Sequence, residues 1–393
     1  MSQWAPLRIG DIGELFDGPH ATPKSKGKVS TNYIFLSISS LENGRLNLKE
    51  SPSISEEDYL SWTRRVTPRA QDLVFSYETR LGEGALIPAG LTCCLGRRMA
   101  LLRPNQKVIE PRFLLYLFLG PKFQQTIAER TIHGSTVNRI ALNDFPDFPI
   151  LLPDITEQRR IAGVLGALDD KIESNRRIAV KCDEVANILF HQAASVNRKL
   201  DEVSEVRMGV SPPGSSYNET GDGMPFFQGV RDFSLLHPVA RVYTNQPKRL
   251  ATSGDILFSV RAPVGRLNIA DSPCCIGRGL AAITSNRSAT CLFALRAAAA
   301  EWEKFSAEGT VFGAVNQKSL KSTLIPWPDP VTEEELEYQL SSLVTLASHS
   351  ERESISLSKL RDALLPELMS GRMRVDEAGC LVSEALDEEV ADV

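Results

Sequence analysis

The feature that most constrains this chain is an internal duplication. Gln71-Asp72-Leu73-Val74-Phe75-Ser76 returns as Gly254-Asp255-Ile256-Leu257-Phe258-Ser259. Further along, Cys93-Cys94-Leu95-Gly96-Arg97-Arg98-Met99-Ala100 returns as Cys274-Cys275-Ile276-Gly277-Arg278-Gly279-Leu280-Ala281, with five of eight positions identical at an offset of 181. Gly134-Ser135-Thr136-Val137-Asn138 is echoed by Gly313-Ala314-Val315-Asn316, at an offset of 178 for the Val-Asn pair. Both copies then cross Pro-punctuated apolar stretches, 145–153 and 324–330, into a charged pattern with helical spacing. Matches kept in order mean that one fold must suit half of the chain and be used twice. With 393 residues, each half is long enough for its own core.

Within each copy, short apolar runs bounded by Gly, Pro, Asn and Asp read as strands: residues 33–38, 72–75, 85–87 and 99–102, then 255–260 and 280–284. Residues 113–119, 123–127 and 297–305 read as helix. The fold class is therefore mixed α/β: two tandem-repeated α/β domains separated by two long helices.

After Pro153 the pattern changes. Asp154 and Glu157 form a capping box in its Asp form. From there Ile161, Leu165, Leu168, Ile172, Asn175, Ala179, Cys182, Ala186 and Leu189 follow 4-3 spacing, the seam of a coiled coil. Thr332 and Glu335 cap a second arm, where Leu336, Leu340, Leu343, Ala347, Ser350, Ser354 and Leu357 repeat that spacing. Beyond Leu357 two registers compete, one with Arg361 on the seam and one shifted by Leu360 and Leu364. The bland alternative is a pair of amphipathic core helices in a single domain. Antiparallel packing of the arms would bring Asn175 level with Ser350 and Ser354, a buried polar layer that fixes register. It would also relate the two copies by a pseudo-two-fold axis.

Charge is unevenly placed. The net −5 comes from residues 375–393, which hold seven carboxylates and no Lys or Arg; the rest has 44 basic against 42 acidic residues. Residues 1–150 carry 18 basic and 15 acidic side chains, residues 197–330 carry 15 and 12. That mild excess permits nucleic-acid binding without requiring it. Residues 375–393 read as an acidic tail, disordered or weakly helical, either solvated or docked on a partner. Seven cysteines without a CxxC exclude a zinc ribbon and a disulfide framework, and Cys93-Cys94 and Cys274-Cys275 read as buried strand residues. No apolar run is long enough to span a membrane and the first residues lack a signal-peptide pattern, so a cytoplasmic chain is expected. No Walker loop, Gly-rich cofactor loop or Asn/Asp-Pro-Pro-aromatic motif is present, and the five histidines lack metal-ligand spacing. A non-catalytic chain with no metal site is expected.

The Gly254-Asp255-Ile256-Leu257-Phe258-Ser259 strand and the Gly-x-x-x-Asn element resemble features of the specificity (S, HsdS) subunits of type I restriction–modification systems. So do Pro153-Asp154-Ile155-Thr156-Glu157-Gln158 at the start of a long helix and Leu364-Leu365-Pro366-Glu367-Leu368-Met369-Ser370-Gly371 at the end of another. Two departures stand out: the second copy lacks the Gln of the helix start, and Gln71 occupies the position of Gly254. The resemblance implies target recognition domains at 1–152 and 197–330, spacer helices at 153–196 and 331–374, and a tail from 375 to 393. It implies that the chain reads a bipartite, asymmetric double-stranded DNA target and docks two methyltransferase (M) subunits and restriction (R) subunits. S-adenosylmethionine, ATP and Mg would then sit on those partners, with no cofactor on this chain. The arm interface is assigned to Ile161, Leu165, Leu168, Ile172, Asn175, Leu336, Leu340, Leu343 and Ser350.

Base edges are read by Arg, Lys, Asn and Gln, and phosphates are held by basic side chains and amides. The loops after the shared strands, residues 77–82 and 260–266, diverge between matching flanks and offer Thr79, Arg80, Arg261 and Arg266. A second pair of loops offers His133, Ser135, Asn138 and Arg139, matched by Asn316, Gln317 and Lys318; an Asn there serves equally well as a helix cap. Lys24, Lys26 and Lys28 read either as phosphate contacts or as a solvated loop. Two other classes remain open: a coiled-coil spacer with protein-binding ends, and a nuclease or methyltransferase with an unfamiliar site.

Overall fold

The computed structural model describes residues 4–23, 31–134, 137–307 and 314–387. The chain forms two compact units, Met1–Asp170 with Leu357–Val393, and Lys171–Ser356. The division falls inside both long helices, so each unit holds one module and part of each arm.

The first module is built on a four-stranded antiparallel sheet in the order Gly13–Asp17, Met99–Pro104, Leu73–Ser76, Gly84–Leu86. The second uses Glu205–Met208, Leu280–Thr284, Ile256–Ser259, Leu267–Ile269 in the same order. The register repeats too: Phe75 faces Ala100 as Phe258 faces Ala281. The central strands read as continuous apolar runs because both faces of each sheet are covered. In the second module Ile256, Phe258, Ala281 and Ile283 point into one core, and Leu257, Leu280 and Ala282 into another. Phe258 meets Trp302 edge-on at 4.9 Å. In the first module Phe75 packs on Phe118 and Phe145 on one face, while Val74 and Leu101 join Leu36, Ile87 and Leu95 on the other.

Each Cys-Cys segment is a strand paired in parallel with an upstream one, Phe35 against Cys94 and Phe226 against Cys275. The thiols are buried, and burial pushes Cys93, Cys94 and Cys274 up to about 12. A two-stranded ledge closes each module, Leu7 pairing Ile150 and Arg198 pairing Ile325.

Several expectations need adjusting. The strand expected over 33–38 is only Ile34–Leu36, because a 3-10 turn at Ile38–Ser40 is held by the Ser37 amide donating to Ser40 Oγ at 2.9 Å. The helix expected over 297–305 is two helices, Ser288–Ala297 and Ala299–Ala307. The first is buried from Ala289 to Leu295, so it lacks the amphipathic period that would have disclosed it.

The first arm is a 39-residue helix, Ile155–Ala193, and the second a 38-residue helix, Glu333–Ser370. Asp154 Oδ1 caps the first, accepting from the amides of Thr156 and Glu157 at 2.9 and 3.0 Å. Glu157 does not complete a box: its carboxylate takes Arg160 at 2.9 Å. Thr332 does not cap with its side chain either. Its hydroxyl donates to Asp329 O, Asp329 Oδ1 holds the Val331 amide, and Glu335 accepts from Gln339.

The seam is buried as its spacing requires at Ile161, Leu165, Leu168, Ile172, Asn175, Ala179, Cys182 and Ala186, then passes to Phe190 rather than Leu189. On the second arm Leu336, Leu340, Ala347, Ser350 and Leu357 are buried and Leu343 is partly so. Past Leu357 the unshifted register holds, with Leu364 and Leu368 buried. Arg361 takes the seam position because Asp169 accepts its guanidinium at 2.9 Å, and Asp169 also accepts from Arg45 and the Tyr116 hydroxyl.

Inside the Lys171–Ser356 unit the two helices run antiparallel: Lys171 pairs Glu353 at 2.8 Å, and Ala179 and Cys182 cluster with Ala347. Those contacts bring Asn175 level with Ser350, both almost fully buried. No hydrogen bond joins them: Asn175 Nδ2 has no partner among the described residues, and Ser354 turns its hydroxyl onto Ser350 O.

The acidic segment is not a loose tail. Val375–Asp387 is a helix with Val375, Ala378 and Val382 buried, and Asp376 pairs with Arg160. Gly371, in the left-handed region at φ 71, turns the chain between the two helices. Residues 388–393 lie outside the described residues.

Candidate nucleic-acid interface

The loop after the first shared strand and the segment before the ledge strand, separate in sequence, lie together in each module. The Ile140 amide donates to Tyr77 O at 2.8 Å, and the Val315 amide donates to Val260 O at 2.9 Å. A third segment, the turn after the Cys-Cys strand, joins them: Tyr77 N donates to Arg98 O at 3.2 Å and Val260 N to Gly279 O at 3.0 Å. Each module thus presents three segments side by side, anchored by equivalent backbone bonds. Ser76 and Ser259 brace the first loop by donating to Glu78 O and Pro263 O at 2.6 and 2.7 Å. Gly82 and Gly265, at φ 80 and 84, reverse it at equivalent points.

These bonds correct one expected equivalence. Ile140, not Val137, matches Val315, so the true offset here is 175 and Asn138 is not the counterpart of Asn316. The short Val-Asn echo misled because backbone pairing, not local identity, decides what is superposed. The same pairing matches Glu78 facing Arg139 with Arg261 facing Ala314.

The expected site residues fare differently. Asn316 is a helix cap, accepting from Ser319 N at 2.9 Å, and Gln317 donates to Val206 O at 3.2 Å. Lys318 is exposed on the helix they start. Asn138 Oδ1 lies 3.3 Å from His133 Nδ1, and both side chains are exposed beside Arg139. Thr79 has φ 69 and accepts from Arg98 at 3.3 Å; Arg80 folds back on Ile38 O and Glu83. Arg261 and Arg266 are exposed without a carboxylate partner among the described residues. Ser135, Gly313 and Lys24, Lys26 and Lys28 fall outside the described residues.

Electrostatics separates the modules. In the first, Arg98 neutralises Glu78 at 2.8 Å and Arg80 pairs Glu83 at 3.2 Å. In the second, Arg261 stands where Glu78 stands and Gly279 where Arg98 stands, so the Arg261 guanidinium has no charged partner among the described residues. Tyr77 beneath the first loop is pushed up to about 12 by burial, then by the Asp17 and Glu78 charges, and stays neutral.

Beneath both sites lies one anchor. Asp72 and Asp255 are buried, each accepting an amide of its own turn, Arg69 N or Thr252 N. Arg103 pairs Asp72 at 2.7 Å and lies over the Phe16 ring at 5.3 Å. In the second module Arg207, on the strand beyond the neighbouring one, pairs Asp255 at 2.6 Å, and Thr284 fills the place of Arg103. Gln71 and Gly254 share the left-handed region, at φ 71 and 87, so the turn is the same in both modules and the Gln is the less favourable residue for it.

Sequence reasoning passed over Arg97 and Arg278. Both are exposed on the third segment, and their signal lay in the repeat itself, inside an octet read as core. It noted Gln158 only as part of the helix-start motif; the side chain is buried at the first arm's start, accepts from Glu110 N at 3.0 Å and donates to Val108 O and Pro153 O. The second module replaces it with Glu337, whose carboxylate accepts the Ala289 and Thr290 amides. Arg278 edges an open cavity of 450 Å³ with Ser211, Tyr217, Phe226, Gln228 and Arg241.

Among the described residues no His, Cys, Asp and Glu cluster is placed to hold a metal, and no helix is long and apolar enough to cross a membrane.

Comparison with known proteins agrees with this architecture. A family model for the type I restriction modification DNA specificity domain matches residues 1–181 and again 194–347. A putative type I restriction enzyme specificity subunit of Methanocaldococcus jannaschii is 29% identical, over 95% of this chain and 94% of the relative. The type I restriction-modification S subunit of M. genitalium shares the fold with a TM-score of 0.64 at 15% identity, covering 93% of this chain and 96% of its own. The HsdS subunit of Thermoanaerobacter tengcongensis is 27% identical with a TM-score of 0.39, covering 94% and 97%. The duplicated scaffold and both matched segments lead to one conclusion: the chain belongs to the type I restriction-modification DNA specificity family, as a DNA-recognition subunit rather than a catalytic one.

Proposed function

We propose that the chain reads a bipartite, asymmetric duplex target, one half-site per module, for a complex in which partner subunits methylate and cut the DNA. The observation that carries this reading is a three-segment site built twice on matched backbone bonds with different side chains at the loops. Two copies reading the same bases would not need Glu78 and Arg98 exchanged for Arg261 and Gly279. The contacting residues come from Thr79, Arg80, His133, Asn138 and Arg139 in one module and Arg261, Arg266 and Lys318 in the other.

The arms, helices of 39 and 38 residues, set the unspecified gap between the two half-sites. They also dock two methyltransferase subunits, and a restriction subunit joins these. S-adenosylmethionine, ATP and Mg act on those partners. Exposed apolar side chains support docking: Ile178, Val185 and Ile188 share one face of the first arm. Methylome sequencing of cells with and without this chain tests the proposal. A motif with two unlike halves and an unspecified gap, lost with the chain, is the expected result; an unchanged methylome overturns it.

A further inference from the structure

We infer that Arg97 and Arg278 are one phosphate grip used twice: each guanidinium holds a backbone phosphodiester of the DNA, at the same place in both half-sites.

The argument starts from what packing explains. Five positions of the shared octet are identical between the modules. Four of them, Cys93, Cys94, Gly96 and Ala100 with their counterparts Cys274, Cys275, Gly277 and Ala281, are buried. Close approach favours the glycines: a Cβ on Gly96 would lie 2.4 Å from the backbone oxygen of Leu36, and one on Gly277 would displace the Gln228 side chain and lie 3.1 Å from its Cα. The fifth position, Arg97 and Arg278, is exposed in both modules, and neither guanidinium has a hydrogen-bond or ion-pair partner among the described residues, although the Arg278 amide donates to Ser211 Oγ at 3.2 Å. Nothing in the fold requires an arginine there.

Both residues nevertheless sit in a turn of the same span, although Arg98 takes a left-handed φ of 70 where its counterpart Gly279 does not. Met99 N reaches Gly96 O at 3.4 Å and Leu280 N reaches Gly277 O at 3.0 Å, so each arginine occupies the second position of a tight turn. The bonds from Tyr77 N and Val260 N fix that turn beside the divergent loop. An identical, free guanidinium beside loops that differ suits a contact carrying no sequence information. Phosphate contacts position a protein on the duplex, whereas base contacts specify.

The inference rests on the duplex-reading role proposed above, and its test separates the two. The full-length chain, as it purifies with its partner subunits, is titrated with two duplexes of equal length, one bearing the methylated motif and one scrambled, from low to moderate salt. Arg97→Gln and Arg278→Gln should each flatten the slope of log K against log salt by about 0.9. Each should weaken both duplexes by the same factor, and the double variant should lose twice the slope. Arg97→Lys and Arg278→Lys should keep the slope, and unchanged melting temperatures would show that the turn is intact. An unchanged slope in a folded variant overturns the grip, as does weakening confined to the motif duplex, which would mean a base contact. Wild type binding both duplexes equally sinks the half-site reading and leaves the grip to be decided by the slope; wild type binding neither overturns both.

Discussion

The two modules keep the same bonds and change the groups that make them. The buried Asp at the head of the shared strand is neutralised by Arg103 from the neighbouring strand in the first module, and by Arg207 from the strand beyond that one in the second. The helix under each sheet is tied to its arm by Gln158 in one case and by Glu337 in the other. At the loops the change goes further, because Glu78 with Arg98 becomes Arg261 with Gly279 and the local charge is altered rather than preserved. Compensated differences mark the scaffold, and uncompensated ones mark the surface that is free to acquire a new target.

The largest effect should come from breaking the compensated pair. Arg207→Ala leaves Asp255 buried without its partner and should cost about 3–5 kcal/mol in chemical denaturation, as should Arg103→Ala beneath Asp72. Arg207→Phe combined with Thr284→Arg copies the first module's Phe16 and Arg103 and should recover most of that loss. If the double variant is no better than Arg207→Ala, the two anchors are not interchangeable.

Next come the helix ties. Gln158→Ala strips three hydrogen bonds from a buried corner and should lower stability by about 1–3 kcal/mol, with Glu337→Ala in the same range. Equal losses in thermal melts support equivalent roles; a silent Glu337→Ala would make the second tie incidental.

The loops should respond in binding rather than in stability. Arg261→Ala should reduce discrimination between target and scrambled duplex by about 1–3 kcal/mol if its fork reads a base edge. Glu78→Ala, which releases Arg98, should instead strengthen binding to any duplex. Opposite signs in a titration at fixed salt would confirm that the modules differ in free charge.

The smallest effect concerns the thiols. Cys93, Cys94 and Cys274, together with Cys291 in the second module, are pushed up to about 12 by burial, and only Cys380 is exposed. Alkylation of the native chain near pH 8 should modify Cys380 alone; rapid modification of a second cysteine would mean a looser core than the packing implies.

Much of this comparison was legible in the sequence because it rests on local periodicity. The 4-3 spacing located both arms, and the recurring strand and octet located both sheets. What escaped depended on long-range bonds. The match of Ile140 to Val315 is set by where Tyr77 O and Val260 O lie, so a short Val-Asn echo suggested the wrong register. Phe190 displaces Leu189 because the core beside it, not the spacing, selects the buried side chain. The helix at Ser288–Ala297 hid because it is buried on every face from Ala289 to Leu295 and so lacks a polar stripe. Asn316 read equally as a contact or as a cap, and the helix that follows decides for the cap. Arg97 and Arg278 were overlooked because buried residues surround them in sequence, while their own exposure is a property of the turn.

The central claim is that each module reads its own half-site, and a methylome is its most direct measurement. Cells carrying Arg261→Ala, altered only in the second module's loop, should show a methylated motif relaxed or changed in one half, with the other half and the gap intact. Changes in both halves, or an unaltered motif at full methylation, would contradict the account.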